Sequence, residues 1–199
     1  MSKKKDDKTV HSSVVENMAY VAEDGDNADS IEMCCEDGKI WPAHNIMAVC
    51  DIIVGKFSGN KKEHIDLLLL ADESEDMIDK YLERGEMFIL ENDGVKGECV
   101  VTKEADGVYE IKNIAVLPEC QRNGYGKSMI DFVFFYYTDC QTMLVGTGDV
   151  PSALSFYQKC GFTESHRINN FFTENYDHPM FEDGKQLVDM VYLKRVRKP

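Results

Sequence analysis

Eight consecutive residues carry the most chemistry in this chain: Gln121, Arg122, Asn123, Gly124, Tyr125, Gly126, Lys127 and Ser128. Before them, Tyr109-Glu110-Ile111-Lys112-Asn113-Ile114-Ala115-Val116 alternates apolar and polar residues and then closes up, which predicts a β-strand. Pro118 ends any further pairing, so Leu117 to Asn123 reads as a turn. From Gly124 onward, Met129, Ile130, Phe132, Val133 and Tyr136 or Tyr137 recur at helical spacing. The glycines therefore stand at a helix start. There the first backbone N–H groups have no intrahelical partner and the helix dipole is positive, a combination that binds anions. Glycine adds close approach, since no Cβ stands in the way. Arg122 and Lys127 add positive charge, and a phosphate-bearing ligand is expected.

Two common nucleotide motifs do not fit. A P-loop needs a glycine where Gln121 stands, and Pro118 interrupts the passage from strand to loop. A dinucleotide fingerprint needs its third glycine at Met129. The segment instead resembles motif A of the GNAT family of CoA-dependent N-acetyltransferases, Q/R-x-x-G-x-G/A, with Gln121, Gly124 and Gly126 in its defining places. Downstream, Ala153-Leu154-Ser155-Phe156-Tyr157-Gln158-Lys159-Cys160-Gly161-Phe162 resembles motif B of the same family, A-x-x-x-Y-x-K-x-G-F. The resemblance covers roughly residues 51–195 and extends to two separate motifs in the family's order.

That resemblance implies an α/β fold of the mixed α+β kind. Its central twisted sheet is mostly antiparallel, with helices on both faces and a splayed pair between the Tyr109 strand and the strand after it. It implies acetyl-CoA as co-substrate. The amides of the loop from Gln121 through Ser128 would bind its pyrophosphate. The exposed backbone of Ile114, Ala115 and Val116 would take the pantetheine arm as a pseudo-strand. Tyr157 would protonate the departing thiolate. Glu110 stands where a glutamate acts as base in some protein-acetylating members. One residue departs from the pattern: Val150 occupies a place where many members carry an asparagine that contacts the CoA arm.

The chemistry constrains the roles independently. A free alkyl amine has a pKa near ~10.4 and arrives charged, and a carboxylate can take its proton, directly or through water. Glu110 is the candidate, with Glu86, Glu91, Glu174 or water as alternatives. A phenol with pKa ~10 matches a thiolate, which suits Tyr157 as acid. A backbone N–H at Ile114 or Val116 could polarise the thioester carbonyl. Cys120 and Cys160 flank the motifs, but no histidine lies near Cys120 in sequence, so direct transfer in a ternary complex is expected. Lys159 reads as an exposed helix residue.

The elements that position these residues follow in order. Residues 1–50 read as an N-terminal extension, with a charged start at Lys3–Lys8, a helix over Ser12–Glu23, a hairpin over Ser30–Trp41 and an apolar stretch from Ala43. Residues 51–199 read as the acetyltransferase domain. A first strand covers Asp51–Phe57. A helix over Asn60–Ala71 turns Ile65, Leu68 and Leu69 inward, and a second helix covers Ser74–Arg84. Strands at Glu86–Leu90 and Gly97–Lys103 are joined by an Asn92-Asp93-Gly94 turn. Gln141–Gly146 is a further strand, Pro151–Cys160 a helix, and Phe162–His166 the next strand. The last strand, Leu187–Arg195, is expected to point Val188, Met190 and Tyr192 inward, with Leu193 as a further candidate. The aromatic-rich loop of residues 167–185 reads as an acceptor-site wall.

Composition limits the partners. The net charge of −14 argues against nucleic acid, which needs a basic face, and favours cationic acceptors. No apolar run approaches the ~20 residues of a membrane span, and no secretory signal opens the sequence. Seven cysteines, an odd number, read as free thiols of a cytoplasmic protein. Cys34, Cys35, His44 and Cys50 match no standard zinc spacing, so no metal is expected. The expected substrate is a small cationic amine such as a polyamine, an aminoglycoside or an amino-acid derivative. A protein lysine or N-terminus is the runner-up within the class, and a CoA-binding sensor without turnover is the alternative outside it. The resemblance leaves a homodimer open.

Overall fold

The computed structural model describes residues 52–198 and the backbone of three two-residue strands, Val15–Glu16, Ala19–Tyr20 and Met33–Cys34. In chain order the main elements are β1 (Ile53–Phe57), α1 (Ile65–Ala71), α2 (Glu75–Leu82), β2 (Glu86–Glu91), β3 (Val95–Ala105) and β4 (Val108–Val116). They continue with α3 (Tyr125–Tyr136), β5 (Thr142–Gly148), α4 (Pro151–Lys159), β6 (Thr163–Ile168), α5 (Phe171–Asn175) and β7 (Met190–Val196). The strands form one sheet in the order β1-β2-β3-β4-β5-β7-β6, with Val15–Glu16 added outside β1. Every pairing is antiparallel except β4 with β5.

Alternating side chains divide the core between the two faces. On β2, Met87 and Ile89 join Leu68, Ile78 and Val100 under α1 and α2. Phe88 and Leu90 join Met129, Val133 and Val191 on the α3 side. A strand buried on both faces reads as a continuous apolar run, and Met-Phe-Ile-Leu is one. Local signals set the boundaries. Ser74 Oγ accepts from the Met77 amide and opens α2. Asp93 and Gly94 both take positive φ, at 51° and 95°, in the β2–β3 turn.

One irregularity matters for function. Between β3 and β4, Val101 pairs with Ile111 but Val100 pairs with Asn113, so Lys112 is the extra residue of a β-bulge. The bulge shifts the alternation by one residue. Ile111 and Ile114 both belong to the α3-side core, and Asn113 is turned to the α1/α2 side, where its Nδ2 reaches the Leu68 carbonyl and the Tyr81 hydroxyl.

Several expectations change. On the last strand Leu193 is buried, as the sequence allowed, but its buried companion is Val191, and Val188 is exposed. Met190 and Tyr192 point to the cleft instead, because β7 lies against β5 with Met190 opposite Gly148 and Tyr192 opposite Gly146. Leu67 joins Leu68 as a buried residue of α1, and Ile65 and Leu69 are only partly buried. Residues 167–185 are not a plain loop. They hold α5, and Phe181–Glu182 pairs with Lys185–Gln186 in a small hairpin. In the expected helix over Ser12–Glu23, Val15–Glu16 pairs with Phe57 and Lys56, and Ala19–Tyr20 with Met33–Cys34. β-Branched Val14, Val15 and Val21 favour extension. The charged start at Lys3–Lys8, the turn proposed within Ser30–Trp41 and the stretch from Ala43 lie outside the described residues. So do Cys35, His44 and Cys50.

Candidate active site

The cleft originates where two parallel strands part. β4 and β5 pair only from Val108–Thr142 to Ile111–Val145. Beyond that point β4 runs on to Val116 without β5, while β5 continues along β7 to Gly148. Ile114, Ala115 and Val116 thus lie on the open stretch of β4. The Val116 carbonyl there already accepts from the Gln121 side-chain amide at 3.2 Å, which folds the loop back on the strand end.

The loop that follows has the geometry of an anion site. A single 3₁₀ turn, Pro118–Cys120, leads to Arg122 with φ 68° and Gly124 with φ 81°, both left-handed. The amides of Gln121 and Ser128 donate to the carbonyls of Pro118 and Gly124. Among the described residues, no acceptor takes the amides of Arg122, Asn123, Gly124, Tyr125 or Gly126. They form a continuous run of donors at the N-terminus of α3. Asn123 Nδ2 donates to the Cys120 carbonyl and braces the turn. Tyr125 accepts from Asn92 Nδ2 and ties the helix start to the β2–β3 hairpin. Ser128 is buried. Lys127 lies at the loop, but its ammonium is 2.6 Å from Asp131, one turn along α3.

Tyr157 projects from α4 into the core below the cleft, edge-on to Phe156 and Phe162. Burial pushes its phenol well up, and no hydrogen bond reaches its hydroxyl among the described residues. Cys160 is also buried, and burial raises its thiol to about 11. A thiol so hard to ionise is a poor nucleophile.

On the opposite side of the sheet, beneath α2 and α5, is a cavity of about 210 Å³. Glu110 lines it, together with Asp72, Tyr81, Phe171, Tyr176 and Tyr192 and with Lys80, Arg84 and Lys112. Glu110 is only 7% exposed and accepts from the Tyr192 hydroxyl at 3.0 Å and from Lys112 at 2.8 Å. Arg84 is engaged by Glu104. Burial raises the Asp72 carboxyl, tempered by the Ser74 amide and the Tyr176 hydroxyl. Of the alternative bases, Glu86 is bound by Lys56 and Tyr137, and neither it nor Glu91 nor Glu174 lines this cavity. The segment expected to wall the acceptor site contributes Phe171 and Tyr176.

Sequence reasoning missed Asp72 and Tyr192, which line this cavity, and Asn113, which holds the cavity residue Tyr81. Asn113 left a trace, a lone amide between two isoleucines of a strand. Tyr192 left none, because its face depends on how β7 meets β5.

Val150, the departure from the motif, is fully buried with Phe172, Met180 and Leu187. Here the position anchors α4 to the α5 segment. Val150→Asn should therefore lower stability by about 1–3 kcal/mol, the cost of a buried amide without partners. Urea unfolding checks this, and tighter CoA binding without loss of stability would contradict it.

A sheet that splays beside a helix start rich in bare amides, with a second cavity behind it, defines a GNAT-type fold. A family model of the acetyltransferase (GNAT) domain matches residues 83–164. YvbK of Bacillus subtilis (strain 168), an uncharacterized N-acetyltransferase, is 42% identical over 135 residues, which are 66% of this chain and 87% of the relative. A Bacillus subtilis acetyltransferase solved in complex with CoA superposes with a TM-score of 0.68 at 37% identity, covering 74% of this chain and 99% of its own. A GNAT family acetyltransferase from Elizabethkingia anophelis with acetyl-CoA bound gives 0.70 at 32% identity, covering 73% and 98%. The chain belongs to the GNAT acetyltransferase family. No helix among the described residues is long and apolar enough to cross a membrane.

Proposed function

We propose that this protein transfers the acetyl group of acetyl-CoA to a primary amine of a small cationic molecule, directly within a ternary complex. The observation that carries the reading is the run of unclaimed amides from Arg122 to Gly126 beside the parted β4 and β5. Those donors suit a pyrophosphate, with Arg122 adding charge and Gln121, Asn123 and Tyr125 holding the loop in shape. The open backbone of Ile114 to Val116 offers the pantetheine arm a strand edge.

The acceptor enters from the other face through the cavity lined by Glu110. Its modest volume suits a small molecule. The Asp72 and Glu110 carboxylates and the rings of Tyr81, Tyr176 and Tyr192 give an ammonium its partners, while Lys80, Arg84 and Lys112 in the same lining suit an anionic group elsewhere on the acceptor. Glu110 takes a proton from the ammonium, directly or through water. The amine nitrogen then forms its bond to the thioester carbon, with a β4 amide at Ile114 or Val116 polarising the oxygen. The carbon–sulfur bond breaks, and Tyr157 gives its phenolic proton to the thiolate and regains one from solvent. Burial keeps the Tyr157 phenol protonated, so the proton is present when the thiolate departs.

A screen of amines with acetyl-CoA, reading free thiol, tests the activity; no thiol release with any amine would leave a CoA-binding module. Glu110→Gln should lower kcat/KM roughly 10- to 100-fold near neutral pH. The loss should shrink as pH rises toward the amine's own pKa of ~10.4, because solvent then supplies the neutral form. A deficit independent of pH would remove Glu110 from the role of base.

A further inference from the structure

On the sheet face turned to α1 and α2, three buried acceptor atoms have no donor: both carboxylate oxygens of Glu98 on β3, and Oδ1 of Asn113 on β4. Glu98 is 0% exposed. Glu98 pairs with Ala115, two residues beyond Asn113, so the two side chains are diagonal neighbours on one face of the sheet. Such neighbours lie about 7–8 Å apart at Cα, within reach of long side chains. The other end of Asn113 is fully used: Nδ2 donates to the Leu68 carbonyl of α1 at 3.0 Å and to the Tyr81 hydroxyl of α2 at 2.8 Å. Tyr81 in turn lines the cavity.

An ionised Glu98 would put a bare charge beside an orphan acceptor. Among the described residues, the one group that favours such a charge is the nearby Ala115 amide, and burial outweighs it. The titratable groups that feel it are Tyr81 on α2 and Cys99 on β3, whose pKa values are both raised, so both stay neutral. No charged side chain from α1, β2 or β4 acts on it. The Ala115 amide is near but makes no hydrogen bond to either oxygen. A single proton removes the charge and turns one Glu98 oxygen into a donor for Asn113 Oδ1, leaving the second Glu98 oxygen as a neutral carbonyl.

We propose that Glu98 is held as the neutral acid and donates to Asn113 Oδ1, completing a chain from Glu98 through Asn113 to Tyr81 that pins α1 and α2 to the sheet and sets the wall of the acceptor cavity. Glu98 is thereby a positioning residue for the acceptor. Its role toward the acceptor rests on the function proposed above, whereas its protonation does not. Burial pushes its carboxyl up to about 8. A raised carboxyl is neutral below that pH, so the chain is intact at neutral pH and breaks as pH rises through this value.

Infrared spectra in heavy water should show the carbonyl stretch of a neutral carboxylic acid, moved by isotope labelling of glutamate carboxyls, fading as pH passes about 8 and missing from Glu98→Gln. Over the same range the acceptor KM of the wild type should rise roughly tenfold while the KM for acetyl-CoA holds steady. In Glu98→Gln, whose amide cannot ionise, the acceptor KM should stay flat. Absence of the neutral-acid band overturns the proposal, as does a KM rise that Glu98→Gln shares. The wild-type spectra decide the protonation even if Glu98→Gln fails to fold. If no amine is acetylated, the infrared result still stands and the fault lies with the proposed activity.

Discussion

Tyr157→Phe should cut kcat by about 10²–10⁴-fold and leave the affinity for acetyl-CoA unchanged. The substitution removes one oxygen from a ring already packed edge-on against Phe156 and Phe162. No hydrogen bond to that oxygen among the described residues is lost with it, so the core should keep its stability. What is lost, on the proposed mechanism, is the proton donor. Without it the thiolate must leave as an anion in a site lined by apolar side chains, where charge is costly. Calorimetric titration with CoA should return the wild-type Kd while thiol release falls. A variant with full turnover would show that solvent protonates the thiolate, and one with weakened CoA binding would show that the tyrosine holds the cofactor instead.

Gly126→Val should weaken acetyl-CoA binding by at least about 100-fold, near 3 kcal/mol. A Cβ at Gly126 would stand 3.1 Å from the Phe156 ring, with Val116 within 3.9 Å. Two further methyl groups have nowhere to go except against α4 or over the bare amides. Either outcome spoils the site, by tilting α3 away from α4 or by shielding donors that a pyrophosphate must touch. Gly126→Ala should fall between, since Phe156 has to yield only a few tenths of an ångström. Titration with acetyl-CoA, alongside thermal melts that report the packing cost separately, measures this. An unchanged Kd in a folded Gly126→Val protein would place the phosphates elsewhere.

The anion loop was readable because it depends on few neighbours. Glycines at a helix start, a preceding proline and an apolar helical face are local facts, and the amides from Arg122 to Gly126 stand where the letters placed them. The same holds for the strand before them and for the helix that carries Tyr157. Val150 was legible as a departure but not as a solution. Its burial against Phe172, Met180 and Leu187 joins residues far apart in the chain.

By itself, then, the sequence determined the order of the elements from β1 to β6, the glycine loop and the two motifs, all of which rest on backbone conformation within a few residues. The tertiary structure alone decided which way side chains face where the period of two is broken or its phase is set from outside. The bulge at Lys112 sends Asn113 toward α1 and α2, and the pairing of β7 with β5 turns Tyr192 onto Glu110. It also decided that Glu98, one glutamate among many in the sequence, is sealed beneath α1 and α2. Hydrophobic pattern cannot foresee such a burial, because the elements that cover Glu98 come from distant parts of the chain and a charged residue type is ordinarily left in water.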